Sequence, residues 1–365
     1  MSISVRPFGV LSDGSSVEAW LLRGRGGLTL EVLTYGGIVS RLLLPDGEGA
    51  VVDIVLGFHD LKRYLHGHPY FGAIIGRVAG RITGAKFRLD GHSYAVSRNE
   101  PPNHLHGGFR GFDKQLWKAT PVGRTDHAPS LRLHYRSPDS EEGYPGNVDV
   151  FVTYTVANDN VFLIETSATT DRATPFSLTH HSYFNLAGEG SGSIANHTLQ
   201  TYADSTIGTR EDLTLLDRAA SVEGQADDLR EPRLLAEVLG SLASDHGALY
   251  PIQRSTTPGT LVPVARLTHP ASGRVLTCST TNSHLQIYTA SAFDGSIVGK
   301  SGRSYEKYAG LCLECQGYAN GANAPEVGDS ILRPTMPHIH ATAYAFTTID
   351  PGPAIAPGLE GGLTS

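Results

Sequence analysis

Two stretches of the sequence hold side chains suited to moving protons. The first is THHSYFNLAG, residues 179 to 188, which crowds imidazole, hydroxyl, phenol and amide groups into one apolar-flanked run. In an extended strand side chains alternate between faces, so His181, Tyr183 and Asn185 share one side and His180, Ser182 and Phe184 the other. A histidine in such a run is either a satisfied polar group at the edge of a core or a proton carrier in a cleft. The second role needs a partner from elsewhere in the chain. The other stretch, Leu311 to Gln316, reads as a buried strand that contains Glu314. A carboxylate there must be paired, open to a cleft or protonated, because burying an isolated charge costs several kcal/mol. Desolvation would lift its pKa towards neutrality, where a carboxylate works best as a general base; a structural ion pair with an arginine is the competing reading.

Other spacings carry less. His66 and His68, His104 and His106, and His338 and His340 each stand two apart, and on a strand such a pair points one way and can hold a metal ion. The first two pairs lie in Gly/Pro-rich segments where alternation is not assured, and no carboxylate accompanies them at ligand spacing. A metal centre is therefore disfavoured. Cys312 and Cys315 make a C-x-x-C spacing, but alternation sends their thiols to opposite faces, which argues against a redox or zinc role. Arg77 and Arg81, on a Gly-rich ledge, are either solvated or a fork for hydroxyl or carboxylate groups. Asp245, in ASDHGALY, has the setting of a turn former. There is no G-x-S-x-G elbow and no phosphate-binding P-loop, so nucleotide-driven chemistry and hydride transfer lack support.

The elements that must position these groups read as strands. Val17 to Leu22, Leu28 to Thr34, Gly37 to Leu44 and Val51 to Leu56 come first, with Asp46-Gly47 and Asp90-Gly91 as the clearest turns. Residues 99 to 117 are turn-forming with interspersed aromatics and predict a long loop laid over a scaffold. Leu131 to Arg136, Val148 to Val156 and Val161 to Thr169 follow, with EEGYPGN, residues 141 to 147, as an acidic turn. One amphipathic helix is predicted over Arg233 to Leu242. Arg274 to Thr280, His284 to Ala290, Gly310 to Gln316 and His340 to Thr348 complete the strands, and the Gly/Pro-rich tail from Asp350 to Ser365 reads as loose.

Bulk properties agree with an all-β chain. The 365 residues include 42 Gly and 21 Pro, with 40% hydrophobic and 18% charged, which suits many short strands joined by turns. No composition shift divides the middle, so one domain over residues 1–349 with a flexible tail at 350–365 is the expectation. A net charge of −7 without a Lys/Arg-rich run argues against nucleic acid as a partner. No secretory leader is visible, and no apolar run approaches the roughly 18 residues that cross a bilayer, so no membrane association is expected. Three cysteines are too few for a disulfide scaffold and suggest a reducing, cytoplasmic setting.

Taken together, the motifs resemble the aldose 1-epimerase, or galactose mutarotase, family from about Leu33 to Phe346. The anchors are GRVAGRI from Gly76, NHLHGGFRGFDKQLW from Asn103, EEGYPGN from Glu141, THHSYFNLAG from Thr179, SVEGQADDLREP from Ser221, SDH from Ser244, LQIYT from Leu285, LCLECQ from Leu311 and SILRP from Ser330. The resemblance implies a single large β-sandwich of the mutarotase type, with a few short helices and a sugar groove across one concave sheet. It implies Glu314 as general base and His181 as general acid, with Arg81, His106, Tyr183, Asp245 and Gln286 around the sugar. The implied reaction interconverts the α and β anomers of free aldohexoses such as D-glucose and D-galactose, through ring opening and closure, with no cofactor and no metal. A sugar-phosphate epimerase, a non-catalytic carbohydrate-binding protein and a histidine-ligated metal enzyme are the alternatives. Four positions depart from the family pattern: Gly80 and His180 stand where Asn is usual, Gly247 where Asn often follows, and Ala292 where an aromatic is usual. An added His180 would depress the pKa of His181 if it carried a like charge.

Overall fold

Period-two burial produces the longest strands. In Val148–Ala157 the side chains of Val148, Val150, Val152, Tyr154 and Val156 are buried, while Asp149, Phe151 and Thr153 between them are half-exposed. The structure, a computed structural model, describes residues 1–46, 48–123, 128–242 and 248–349. The largest sheet has nine strands, in the order Lys118–Val122, Ser130–Ser137, Val148–Ala157, Val161–Thr170, His338–Thr348, Arg274–Thr280, Val262–His269, Thr198–Thr201 and Arg233–Leu234. A five-stranded meander runs from Ser2–Val10 through Ser16–Arg23, Thr29–Leu33 and Val39–Pro45 to Val51–Asp53. A four-stranded sheet orders Tyr183–Phe184, Leu311–Gln316, His284–Tyr288 and Ala248–Pro251. One apolar cluster takes residues from all three sheets, among them Leu42, Val152, Leu276, Leu285 and Leu313, so the sheets pack face to face as an all-β sandwich. The Tyr344 hydroxyl donates to the Leu313 carbonyl at 2.8 Å and ties the nine-stranded sheet to the four-stranded one.

Where the structure differs from the sequence reading, tertiary pairing is the reason. The helix predicted over Arg233 to Leu242 is confined to Leu235–Val238, because Arg233–Leu234 pairs with Thr198 and Leu199 at the edge of the large sheet. Of the predicted apolar face of Leu234, Leu235, Val238, Leu239 and Leu242, the last four are buried, while Leu234, drawn into the strand, is exposed. Ser2–Val10, Val262–His269 and Ala248–Pro251 are strands without a clean alternation to announce them. The loop at 99–117 is anchored: His104–Leu105 pairs with Arg81–Ile82, and the Glu142 carboxylate accepts the Phe109 and Arg110 amides at 3.1 and 2.8 Å. Asp90 and Gly91, both at positive φ, turn the hairpin Lys86–Leu89 to His92–Ala95. Gly47 and the tail from Asp350 lie outside the described residues.

The turn His106-Gly107-Gly108 joins fold to site, since all three have positive φ. A β-carbon on Gly107 would lie 1.7 Å from the Gly76 carbonyl oxygen, whereas one on Gly91 would meet nothing within 4 Å. Both positions are left-handed, at φ +85 and +82, so Gly91→Ala isolates the backbone cost, about 1 kcal/mol. Gly107→Ala is expected to lose about 2 kcal/mol more through the steric conflict. Urea midpoints of the two variants check this, and equal losses would show that the turn relaxes freely.

Candidate active site

Leu311–Gln316 lies inside the four-stranded sheet, and all 6 of its residues are buried. Alternation sends Leu311, Leu313 and Cys315 into the sandwich core, which turns Cys312, Glu314 and Gln316 the other way. Register places Gln286 opposite Glu314, and Tyr183 opposite Cys312. His181 arrives from a different connection: its amide donates to the Ala73 carbonyl at 3.0 Å and its carbonyl accepts the Gly72 amide at 2.9 Å. Two segments far apart in sequence thereby bring His181 Nε2 to 3.6 Å from Glu314 Oε2.

The pair opens on a cleft of about 180 Å³, whose walls include Arg81, His106, His181, Tyr183, Gln286, Tyr288, Glu314 and Gln316. The cleft thus brings together Arg81, His106, Tyr183 and Gln286, the residues expected around a sugar, while Asp245 lies outside the described residues. Arg81 gives Nε and Nη2 to the Glu100 carboxylate at 2.5 and 2.7 Å, which holds the fork rigid and leaves Nη1 without a partner among the described residues. His106 sits at φ +51, its amide donating to the Gly80 carbonyl and its Nδ1 accepting the Gly80 amide, each at 3.0 Å. The accepted bond fixes the proton of the neutral ring on Nε2.

Water exclusion sets the protonation of the pair. Burial pushes the Glu314 carboxyl up to about 8 and the His181 imidazole down to about 4. His106 is held well below its ordinary value, first by burial and then by the positive charge that His181 would carry. Glu314 Oε2 and Gln316 Oε1 are buried with no hydrogen-bond partner among the described residues. Such orphaned acceptors at a cleft are ready for the hydroxyls of a ligand. Between about 4 and about 8 the Glu314–His181 pair holds a single proton.

Sequence reasoning missed Tyr70. Its ring stacks on His181 at 5.7 Å and 25°, and Tyr183 stacks on the same imidazole at 5.0 Å and 26°. Two aromatic rings thus lie against one imidazole. Tyr70 adopts φ +62, an uncommon conformation for a bulky residue, in a segment turned by Gly67 and Gly72 at φ +101 and +62. Those glycines were the only signal in the sequence. Tyr288 and Gln316 were legible in principle, since each lies two residues beyond a named site residue on the same strand. The Cys312 thiol, 3.5 Å from His181 Nδ1, had no separate signal.

Several expectations are resolved by contacts. Arg77 is neither solvated nor a ligand fork: it is buried and donates to Ser137 Oγ and to the carbonyls of Ser137, Pro138 and Pro145. His180 faces the core, within hydrogen-bond reach of Ser182 Oγ at 2.7 Å, and burial pushes it down to about 3, so it sets no like charge against His181. Cys312 and Cys315 do part to opposite faces, Cys315 lying 3.6 Å from Cys278 across the sandwich. His104 spends both ring nitrogens on the Ser97 carbonyl and the Tyr144 hydroxyl, which divides it from His106. A β-carbon on Gly80 would lie 2.7 Å from that of Ala319, so the missing Asn is matched to a small neighbour. Phe293, beside Ala292, packs behind Tyr183 at 5.4 Å, and Gly247 lies outside the described residues.

Among the described residues, His106, His181 and Glu314 have the spacing of a cation site, with ligand atoms all within 4.8 Å of one another. The tautomer of His106 opposes that use. Its Nδ1 lone pair is taken by the Gly80 amide, so its Nε2 carries hydrogen and offers no lone pair unless that bond breaks. As an N–H donor, His106 suits a hydroxyl oxygen.

Known proteins resemble this chain both in sequence and in fold. The family model described as aldose 1-epimerase matches residues 18–345. Rat galactose mutarotase is 40% identical over 351 residues, covering 95% of this chain and 99% of the relative. The aldose 1-epimerase of Escherichia coli K12 is 31% identical, over 92% of this chain and 96% of its own. An aldose epimerase homologue from C. elegans superposes with a TM-score of 0.82 at 28% identity, covering 91% of this chain and 100% of that one. Galactose 1-epimerase from Lactobacillus acidophilus NCFM shares the fold with a TM-score of 0.82 at 22% identity, over 95% and 99% of the two chains.

The orphaned carboxyl has a stability signature. A carboxyl whose folded pKa lies near 8, against 4.5 unfolded, keeps its proton on folding and costs stability as pH rises between those values. Glu314→Gln removes that cost. Its advantage in unfolding free energy over the parent is expected to grow from about pH 5 to about pH 8 and then level off, reaching a few kcal/mol. Thermal melts across that range check the sign, and a pH-independent difference would mean that Glu314 is not desolvated.

Proposed function

This chain belongs to the aldose 1-epimerase family, and from that premise we infer how its cleft performs the reaction. The protein is an isomerase, a mutarotase that interconverts the α and β anomers of free aldoses, with D-glucose and D-galactose as the expected substrates. In the proposed mechanism Glu314, as carboxylate, takes the proton of the anomeric hydroxyl while His181, as imidazolium, gives one to the ring oxygen. The C1–O5 bond breaks, C1 becomes an aldehyde carbon, and the proton count of the pair is unchanged. Rotation about C1–C2 followed by closure, with acid and base exchanging roles, delivers the other anomer. Neither oxidation nor hydrolysis is involved. The reading takes residues 1–349 as one working domain.

The observation that carries the reading is the buried, unpartnered Glu314 oxygen 3.6 Å from the His181 nitrogen at one cleft. With the cleft empty, burial favours the neutral pair, carboxylic acid and imidazole. Moving one proton from Glu314 to His181 creates the ion pair that the ring-opening step uses. Three interactions offset its cost: the mutual attraction of the charges, sugar hydroxyls donating to the carboxylate, and the faces of Tyr70 and Tyr183 against the imidazolium. His106 Nε2–H and Arg81 Nη1 would hold sugar hydroxyls, with Gln286 and Asp245 as further contacts. Retention of both Glu314 and His181 favours turnover over a purely binding role.

Polarimetry of fresh α-D-glucose or α-D-galactose tests the reading. Relaxation should accelerate with enzyme and be indifferent to EDTA; loss in EDTA would restore the metal alternative, and no acceleration would leave a binding protein. Glu314→Gln and His181→Asn should each lower turnover by at least about a hundredfold. Near-normal turnover in either variant removes that residue from proton transfer. The pH profile of kcat/KM should be flat while the pair holds one proton and fall below about 4 and above about 8. Tyr70→Phe should keep turnover, whereas Tyr70→Leu should lower kcat by about tenfold with less effect on KM. Equal losses in Phe and Leu would show that the hydroxyl, not the ring face, matters.

A further inference from the structure

The histidine pair His338 and His340 takes no part in the cleft, yet its rings lie 4.6 Å apart on the wall of a second groove of about 300 Å³. His284 and Arg254 line the same groove. His284 is the strand partner of Gln316, and Gln316 lines the first cleft while Gly317 lines the second, so the two cavities adjoin at one peptide bond.

Each imidazole spends one nitrogen on a hydroxyl: His284 Nδ1 with Ser283 at 2.9 Å, His340 Nδ1 with Thr281 at 3.2 Å, and His338 Nε2 with Thr166 at 3.5 Å. The other nitrogen of each has no partner among the described residues. The Arg254 guanidinium likewise has no ion pair or hydrogen bond among them. Asp329, the acidic residue of the lining, accepts the Ile331 amide at 3.0 Å, which holds the carboxylate in its own turn and leaves its charge in place. The lining thus holds one guanidinium with its donors unspent, one carboxylate, and two rings, His284 and His340, each able to turn an N–H towards the oxygen of an oxyanion. His338 gives its N–H to Thr166, whose hydroxyl donates to the His340 carbonyl. The field of Arg254 reaches two of the rings: after burial, its charge is what lowers His284, to about 4, and His340.

We propose that this groove is a second ligand site, for a phosphate group, either free or carried on a small polyol. A phosphate offers oxygens on several sides, so guanidinium and imidazole donors from different walls can engage it together. The site is separate from the proton-transfer pair and does not depend on the reaction assigned to it.

Histidine ring resonances of the full chain, followed by NMR during titration with inorganic phosphate and separately with a hexose 6-phosphate, test the proposal. His284 and His340 signals should move saturably in the millimolar range and titrate at higher pH once the anion is bound. Arg254→Ala should abolish the shifts, and His340→Gln should weaken binding several-fold. Both variants should keep normal mutarotation of free glucose in phosphate-free buffer. Tighter binding of the hexose 6-phosphate assigns the site to a phosphomonoester, and equal binding to phosphate itself. The proposal is overturned if no saturable shift occurs, if the shifts survive Arg254→Ala, or if they are confined to His106 and His181. A failure of mutarotation in the parent protein would bear on the first cleft and leave this result standing.

Discussion

A buried carboxyl oxygen with no hydrogen-bond partner among the described residues is the constraint around which the cleft is arranged. Glu314 could have been satisfied by an arginine, as buried acids commonly are, and Arg81 stands in the same wall. Instead Glu100 holds Arg81 through two nitrogens, and the Oε2 atom of Glu314 is left to face an imidazole at 3.6 Å. An arginine on Glu314 would have pulled its pKa down and made it a poor base. Isolation pushes the pKa the other way, into the range where a carboxyl exchanges protons near neutral pH. The cost is stability, and the sandwich around it supplies the surplus.

Rigidity follows from how the two partners are held. Glu314 belongs to a strand with neighbours on both sides and a wholly buried sequence. His181 is fixed by backbone bonds to Gly72 and Ala73 and by two stacked tyrosines. The glycines at 72 and 107 let backbone segments approach so closely that a β-carbon on either would collide with a carbonyl, and one on Gly76 would collide with the Phe112 and Leu178 side chains. Precise placement of polar groups is thus an outcome of apolar packing and close backbone contact, not of the polar groups themselves.

Of the departures from the family pattern among the described residues, Gly80 lies on the wall of the cleft, His180 faces the core and Ala292 stands beside Phe293; none belongs to the proton-transfer pair. Gly80 and Ala319 close against each other on that wall, since a β-carbon on Gly80 would meet that of Ala319 at 2.7 Å. Phe293 supports Tyr183 from behind, while Tyr288 supplies an aromatic surface within the cleft. Such changes bear on which hydroxyl pattern fits, since discrimination between sugars depends on wall contacts and orphaned acceptors.

Alternation alone made the site partly legible. It separated His181 from His180, parted Cys312 from Cys315, and marked Glu314 as a carboxylate in a strand too apolar to hold one without purpose. Motif order then identified the family, and with it the sandwich and the partners of Glu314. These are local properties, encoded within a few residues of each position. Tertiary structure alone decided the rest. That Arg77 is caged by carbonyls while Arg81 reaches the cleft depends on which loop covers each, and no spacing records it. Tyr70 acquires its place from a left-handed turn whose partner surface comes from two other segments. The helix at Leu235 stops short because a strand edge competes for the residues before it. Sequence sets which face a side chain occupies, since that is a property of the backbone repeat; what lies opposite that face is set by contacts between distant segments, and proton chemistry depends on the second.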